Sequence, residues 1–281
     1  MAGVRTSHAQ RLAPAIAPTL AVAAVAAVWH LARARRQAAE RLAAATLETL
    51  MNAIDANDHE TGAHVRRVAD YALLLADAAG LDENARRGVE RVALFHDVGK
   101  IHEALFDIVH DHDQLSPEER EAIATHPARG AEVLAPLCAF YPELPDGVIA
   151  HHERWDGTGY PRGLRAEDIP LVARIVAIAD TFDAVTHSRR YREGADQQRG
   201  ATVIAEGRGR QFDPVLVDLF LSPRVYPKVL WRLEEARRDE SRPPAPRAVG
   251  TERREQKREK SVPSISFRWR GRGAGKARSA P

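Results

Sequence analysis

Histidines and carboxylates stand in five separated stretches of this 281-residue chain, at spacings that suit metal binding: Glu60 with His64, His96 with Asp97, His126, His151 with His152, and Asp180. Glu60 and His64 are four residues apart, so they stack on one side of a helix and can grip one site. Adjacent histidines on a helix point roughly 100 degrees apart, so His151 and His152 can serve one site only if ligands arrive from several directions, as in a cluster of more than one metal. Asp97 follows the apolar run Leu94-Phe95-His96, where a cation offsets the free energy of burying a lone carboxylate. Each stretch alone has a plainer explanation: chance histidines at a helix end, or a salt bridge from Asp97 or Asp180 to a core arginine. So many ligand-type groups on apolar helical patterns favour the metal.

Two strings carry a resemblance. His96-Asp97-Val98-Gly99-Lys100, followed by His151-His152-Glu153-Arg154-Trp155-Asp156-Gly157-Thr158-Gly159-Tyr160-Pro161, closely resembles the HD-GYP subfamily of HD-superfamily metal-dependent phosphohydrolases, over about residues 49–222. The resemblance implies an all-α fold, an HD-type helical bundle with a GYP loop and ligands projecting into its centre. It implies metal ligands at Glu60, His64, His96, Asp97, His126, His151, His152 and Asp180, holding two or three divalent transition metal ions. Glu60 favours three, and mixed histidine and carboxylate ligation suits iron or manganese.

The activity implied is hydrolysis of a cyclic dinucleotide, cyclic di-GMP first, to linear pGpG and in some members of the family further to GMP. Such a cluster lowers the pKa of bound water from about 15.7 to about 7, which supplies the attacker, and clamps the phosphate. Asp97 is the expected bridge between metals. Lys100 is expected to contact the phosphate as a point charge, against the alternative of a surface lysine. Tyr160 shapes the pocket entrance, and Arg189 and Arg192, in the stretch from Asp183 to Arg192, contact phosphate or guanine. The alternative for Arg189 is an arginine neutralising helix-end carbonyls. The GYP loop is also a candidate surface for a protein partner.

Two departures bear on substrate. Arg190 stands where the family commonly has proline, and His102 to Asp113 form an acidic loop where the family has a Lys-Pro-Gly. His102, His110 and His112 are either an accessory metal site or part of a solvated loop. The alternatives to cyclic di-GMP hydrolysis are therefore a phosphohydrolase of another nucleotide and a catalytically silent interaction module.

The positioning elements read as helices throughout. Leu42, Leu47, Leu50 and Ile54 share helical spacing, and a second unit from Asp55 to Gly80 carries Val65, Val68, Ala69, Ala72 and Leu75 inward. Asp82 caps the helix that delivers His96 and Asp97, after which Gly99 lets the backbone turn. Ser116-Pro117-Glu118-Glu119 is a capping box, and its helix is expected to carry His126 near its end. Further helices are expected over 128–137, from Pro145 to the paired histidines, over 169–187 with Asp180, and from Asp213-Pro214 through Phe220.

Hydrophobic residues make up 44% of the chain and aromatics 6%, as in an alanine- and leucine-rich helical domain. The net charge of +2 gives no whole-chain argument for nucleic acid, which is not an expected partner. Cys138 is the only cysteine, which excludes an intrachain disulfide. Residues 12–32 lack Asp, Glu, Lys and Arg and precede Arg33, Arg35 and Arg36. That pattern suggests a single-pass membrane tether with the catalytic domain in the cytoplasm; the alternatives are an alanine-rich helix or a cleaved signal peptide. Three regions are thus expected: an N-terminal segment 1–36, a phosphohydrolase domain 37–222, and a basic, largely disordered tail 223–281 with roughly ten more basic than acidic side chains.

Overall fold

A computed structural model of the chain describes residues 13–101, 116–187 and 196–240, with side chains from 24 onward except at 57, 101 and 240. The chain divides into two units, one comprising Met1–Arg41 with Pro244–Pro281 and the other Leu42–Pro243. In the first, the described side chains belong to part of the long helix α1 (Ala13–Asn57), where Val25, Val28, Trp29 and Leu31 are exposed. Among the described residues no helix is long and apolar enough to cross a membrane. The side chains of the first half of the expected tether lie outside the described residues.

The second unit is built from helices α2 (His59–Ala78), α3 (Glu83–Phe95), α4 (Pro117–Ile123), α5 (His126–Leu134), α6 (Glu143–Ala150), α7 (Leu171–Thr186), α8 (Gln197–Glu206), α9 (Pro214–Phe220) and α10 (Tyr226–Glu240). Apart from an isolated bridge between Arg208 and Phe212, the described residues contain no β-pairing, so the all-α expectation holds. Caps set the helix starts. Asp58 accepts from the amides of Glu60 and Thr61, three residues later than the expected start at Asp55. Asp82 accepts from Ala85 N, and Ser116 with Glu119 forms the expected capping box.

The inner stripe of α2 is buried as its spacing predicts, and Tyr71 meets Phe182 of α7 edge to face with ring centroids 5.4 Å apart. Such pairs contribute about 0.5–1.5 kcal/mol beyond area burial. Two expectations are corrected. Leu42 is exposed, and Ala43 takes the inner position beside Leu47 and Ile54. The folded unit also does not stop at Ser222: Val225, Val229 and Leu233 are buried on and just before α10. Full burial of such side chains contributes about 1.5–3 kcal/mol each, enough to retain the helix despite its charged outer face.

Candidate metal centre

Helix ends deliver most of the ligands. His96 is the C-cap of α3 and His151 the C-cap of α6, while His126 opens α5 rather than closing the helix that begins at Pro117. The break is local: α4 ends at Ile123, and Thr125 bridges to the next helix start. His151 and His152 lie beyond the last turn of α6, with ring centroids 4.1 Å apart. They therefore join one group with His126.

Two triads result. His64, His96 and Asp180 form one and His126, His151 and His152 the other; within each, the potential ligand atoms lie within 4.8 Å of one another. Asp97 lies between them. Its Oδ2 is 3.5 Å from His96 Nε2 and 3.8 Å from His64 Nε2, while its Oδ1 is 3.3 Å from His126 Nε2. Asp180 Oδ1 sits 3.3 Å from His64 Nε2 and 3.8 Å from His96 Nε2. Lys100, on the 3-10 turn Val98–Ile101, donates to Asp97 Oδ2 at 2.7 Å.

The far side of each ring shows why these nitrogens face inward. A carbonyl oxygen can only accept, so a ring nitrogen against it carries the proton and leaves the other nitrogen as a lone pair. His96 Nδ1 faces Ala93 O at 2.8 Å, His126 Nδ1 faces Ile123 O at 2.7 Å, and His151 Nδ1 faces Val148 O at 2.6 Å. Each acceptor lies three residues back, at a helix end whose last carbonyls have no intrahelical partner. His64 lies within α2, where those carbonyls are already bonded. A side chain serves instead: Asp183 Oδ2 is 2.7 Å from His64 Nδ1. Asp183 is itself held by Arg67, at 2.8 Å to Oδ1 and 3.0 Å to Oδ2, and lies 2.9 Å from His187 Nδ1.

These residues fit divalent cations. His96 Nε2 and Asp97 Oδ1 are buried without a hydrogen-bond partner, and His126 Nε2 faces His151 Nε2 at 3.2 Å. Lone pairs turned toward one another are repulsive unless a cation stands between them. Burial, reinforced by neighbouring histidines, holds His151 far below its ordinary pKa and pushes His152 down to about 4, so both are neutral ligands. Burial also opposes charge on His64, but the carboxylates of Asp180 and Asp183 prevail and hold it up to about 9. Burial works against charge on Asp97 too, yet Lys100, His96 and His126 keep its carboxyl well below the usual range.

Close backbone approach holds the triads in register. A Cβ on Gly99 would strike the carbonyl oxygen of His126 and come within 2.7 Å of Gly130 N. Gly99 is thus needed for contact with α5 rather than for a turn with positive φ. The GYP loop is organised from inside by Glu153, whose buried carboxylate accepts from Arg162 N at 2.7 Å and Leu164 N at 3.0 Å. Its main chain also bonds a neighbouring turn, Trp155 N to Gln211 O at 3.2 Å and Asp156 N to Arg210 O at 2.8 Å. Tyr160 stacks on His152 with centroids 5.0 Å apart and an interplanar angle of 27°, leaving 37% of the residue exposed.

Seven of the expected ligands therefore converge, with Lys100 and Tyr160 beside them. Glu60 is exposed and outside both triads. Arg189, Arg190 and Arg192, and the loop with His102, His110 and His112, lie outside the described residues. Sequence reasoning placed Asp183 in the substrate-contacting stretch; it is 1% exposed and faces the back of His64. The signals were its spacing of three from Asp180 and four from His187, which put all of them along one side of α7. Glu153 was read only as part of a motif string.

The profile of the HD-domain family matches residues 48–216, and the chain belongs to that family. Among curated relatives, the 3′3′-cGAMP-specific phosphodiesterase 2 of Vibrio cholerae is 40% identical over 175 residues, covering 61% of this chain and 33% of the relative. The cyclic di-GMP phosphodiesterase response regulator RpfG of Xanthomonas campestris is 39% identical over 183 residues, covering 64% of this chain and 48% of the relative. The chain thus spans half or less of the length of these relatives. Among solved structures, Bd1817 of Bdellovibrio bacteriovorus, an HDG"Y"P protein, is 25% identical with a TM-score of 0.46, covering 56% of this chain and 49% of that one.

Proposed function

We propose that the chain is a metal-dependent phosphodiesterase that hydrolyses a cyclic dinucleotide, cyclic di-GMP to linear pGpG and then GMP. The observation that carries this reading is Asp97, whose two oxygens face different triads at distances that suit a carboxylate shared by two ions. The ions supply Lewis acidity toward a phosphoryl oxygen and lower the pKa of water at neutral pH. The chain's own groups do the rest. His64, His96 and Asp180 bind on one side, and His126, His151 and His152 on the other. Lys100 extends from Asp97 toward the substrate phosphate, where its charge stabilises negative charge as it develops. Tyr160 lines the entrance.

The identity of the metals as iron or manganese rests on the donor set, which holds no thiolate. A third ion at Glu60, guanine or phosphate contacts from Arg189 and Arg192, the tether at 12–32, and a protein partner at the GYP loop rest on the sequence pattern and belong to the same proposal.

A second substrate, 3′3′-cGAMP, is favoured by the relative at 40% identity, which carries that specificity in its name. The test is anaerobic purification of the full chain with metal quantification, followed by product analysis on both dinucleotides. The expected result is a linear product from cyclic di-GMP that disappears on chelation and returns with iron or manganese. Turnover confined to 3′3′-cGAMP would replace the substrate, and binding without turnover in metal-replete protein would replace the enzyme.

A further inference from the structure

Three of the inward-facing rings are steered by peptide carbonyls at helix ends, three residues back, and one is steered by a carboxylate from another helix. Asp183 reaches His64 from 119 positions along the chain, is 1% exposed, and has both oxygens engaged by Arg67. It stands one turn from Asp180 on α7, so one helix supplies both a direct ligand of the first triad and the group behind another of its ligands. A carboxylate behind an imidazole fixes the ring and raises the basicity of its far nitrogen more than a neutral carbonyl does.

We propose that Asp183 is a positioning residue that makes the His64–His96–Asp180 triad the tighter of the two metal sites, so that the triads fill in order rather than together. The proposal rests on metal binding at the triads and is independent of which substrate is hydrolysed. The carboxylate is flanked on another side as well: His187 Nδ1 lies 2.9 Å from its Oδ1. The Arg67 fork takes both oxygens, which fixes the plane of the carboxylate and leaves little freedom for the His64 ring to rotate. His126 and His151 have only carbonyl anchors, and no second charge stands behind either of them among the described contacts.

The test is titration of the metal-stripped full chain with Mn2+, read from loss of the free-ion electron paramagnetic resonance signal, without substrate or turnover. The wild-type chain should show separable classes of site. Asp183→Asn should weaken the tight class by about 10- to 100-fold, the range for loss of such an outer partner, and leave the weak class within about twofold. Unchanged tight binding, or equal weakening of both classes, overturns the proposal. If Asp183→Asn does not fold, His187→Ala decides, because it leaves Asp183 in place with one neighbour removed. A selective loss of about threefold or more in the tight class supports the proposal, and no change overturns it. Failure of the hydrolysis reading would appear as intact two-class binding with no product, which is distinct from either result.

Discussion

His64, His96 and Asp180 form a triad with a carboxylate of its own and a second one, Asp183, behind it, whereas His126, His151 and His152 have imidazoles alone. The anionic side draws a proton onto His64 in the metal-free chain, while crowding and burial keep the paired histidines neutral. Two pockets only one carboxylate apart therefore start with their histidines in different protonation states. The first exchanges a proton for a metal, whereas His151 and His152 have none to give up.

The severest way to break this contrast is to remove what the pockets share. Asp97→Ala should bring hydrolysis to background and lower metal content at both triads, as seen by elemental analysis; retention of either full turnover or full metal content would sink the bridging role. Lys100→Ala separates chemistry from metal binding. It should cut turnover by about 10²- to 10³-fold, the scale of losing one aimed charge-stabilising donor, with metal content unchanged.

The charge states themselves can be read from pH. The folded pKa of His64 is raised, so its proton stabilises the metal-free fold fully below 6.5, and that contribution is lost as pH rises through about 9. His152 runs the other way: its contribution is present above 6.5 and lost as pH falls through about 4. Between pH 6.5 and 9, Mn2+ binding to His126→Ala, which keeps the first triad, should release a proton and tighten by about tenfold per pH unit. Binding to His64→Ala should release none in that window. Calorimetry in buffers of different ionisation enthalpy distinguishes the two, and equal proton release would erase the contrast. The smallest expected effect belongs to Glu153→Gln, which removes a charge from the GYP loop while leaving both triads intact. A rise of about fivefold in KM, equivalent to about 1 kcal/mol, is expected with kcat and metal content held; a fall in metal content would link the loop to the second triad instead.

Much of this centre was legible because ligands near helix ends are announced by local chemistry. Ser116 with Glu119 and Asp82 marked where helices start, and the paired histidines followed an apolar run. Asp183 was not legible in its true role, since its partner is a ring on α2 that becomes a neighbour only when α2 packs on α7. Glu60 was legible as a ligand only from the sequence pattern. Its spacing from His64 is right for one helix face, but it stands in the first turn of α2, exposed. At the C-terminus, the spacing of Val225, Val229 and Leu233 signalled a packed helix, but charge-rich composition outweighed it.

The contact between the Gly99 backbone and the start of α5 has a consequence for which ions can be exchanged. Peptide groups pressed together cannot slide to suit a larger or smaller cation, so the gap between the pockets behaves as a rigid gauge. In the proposed reading, any adjustment to ionic radius would fall on the hinge of the Asp97 side chain. Metals differing widely in size should then alter how that carboxylate tilts while the helices stay where they are.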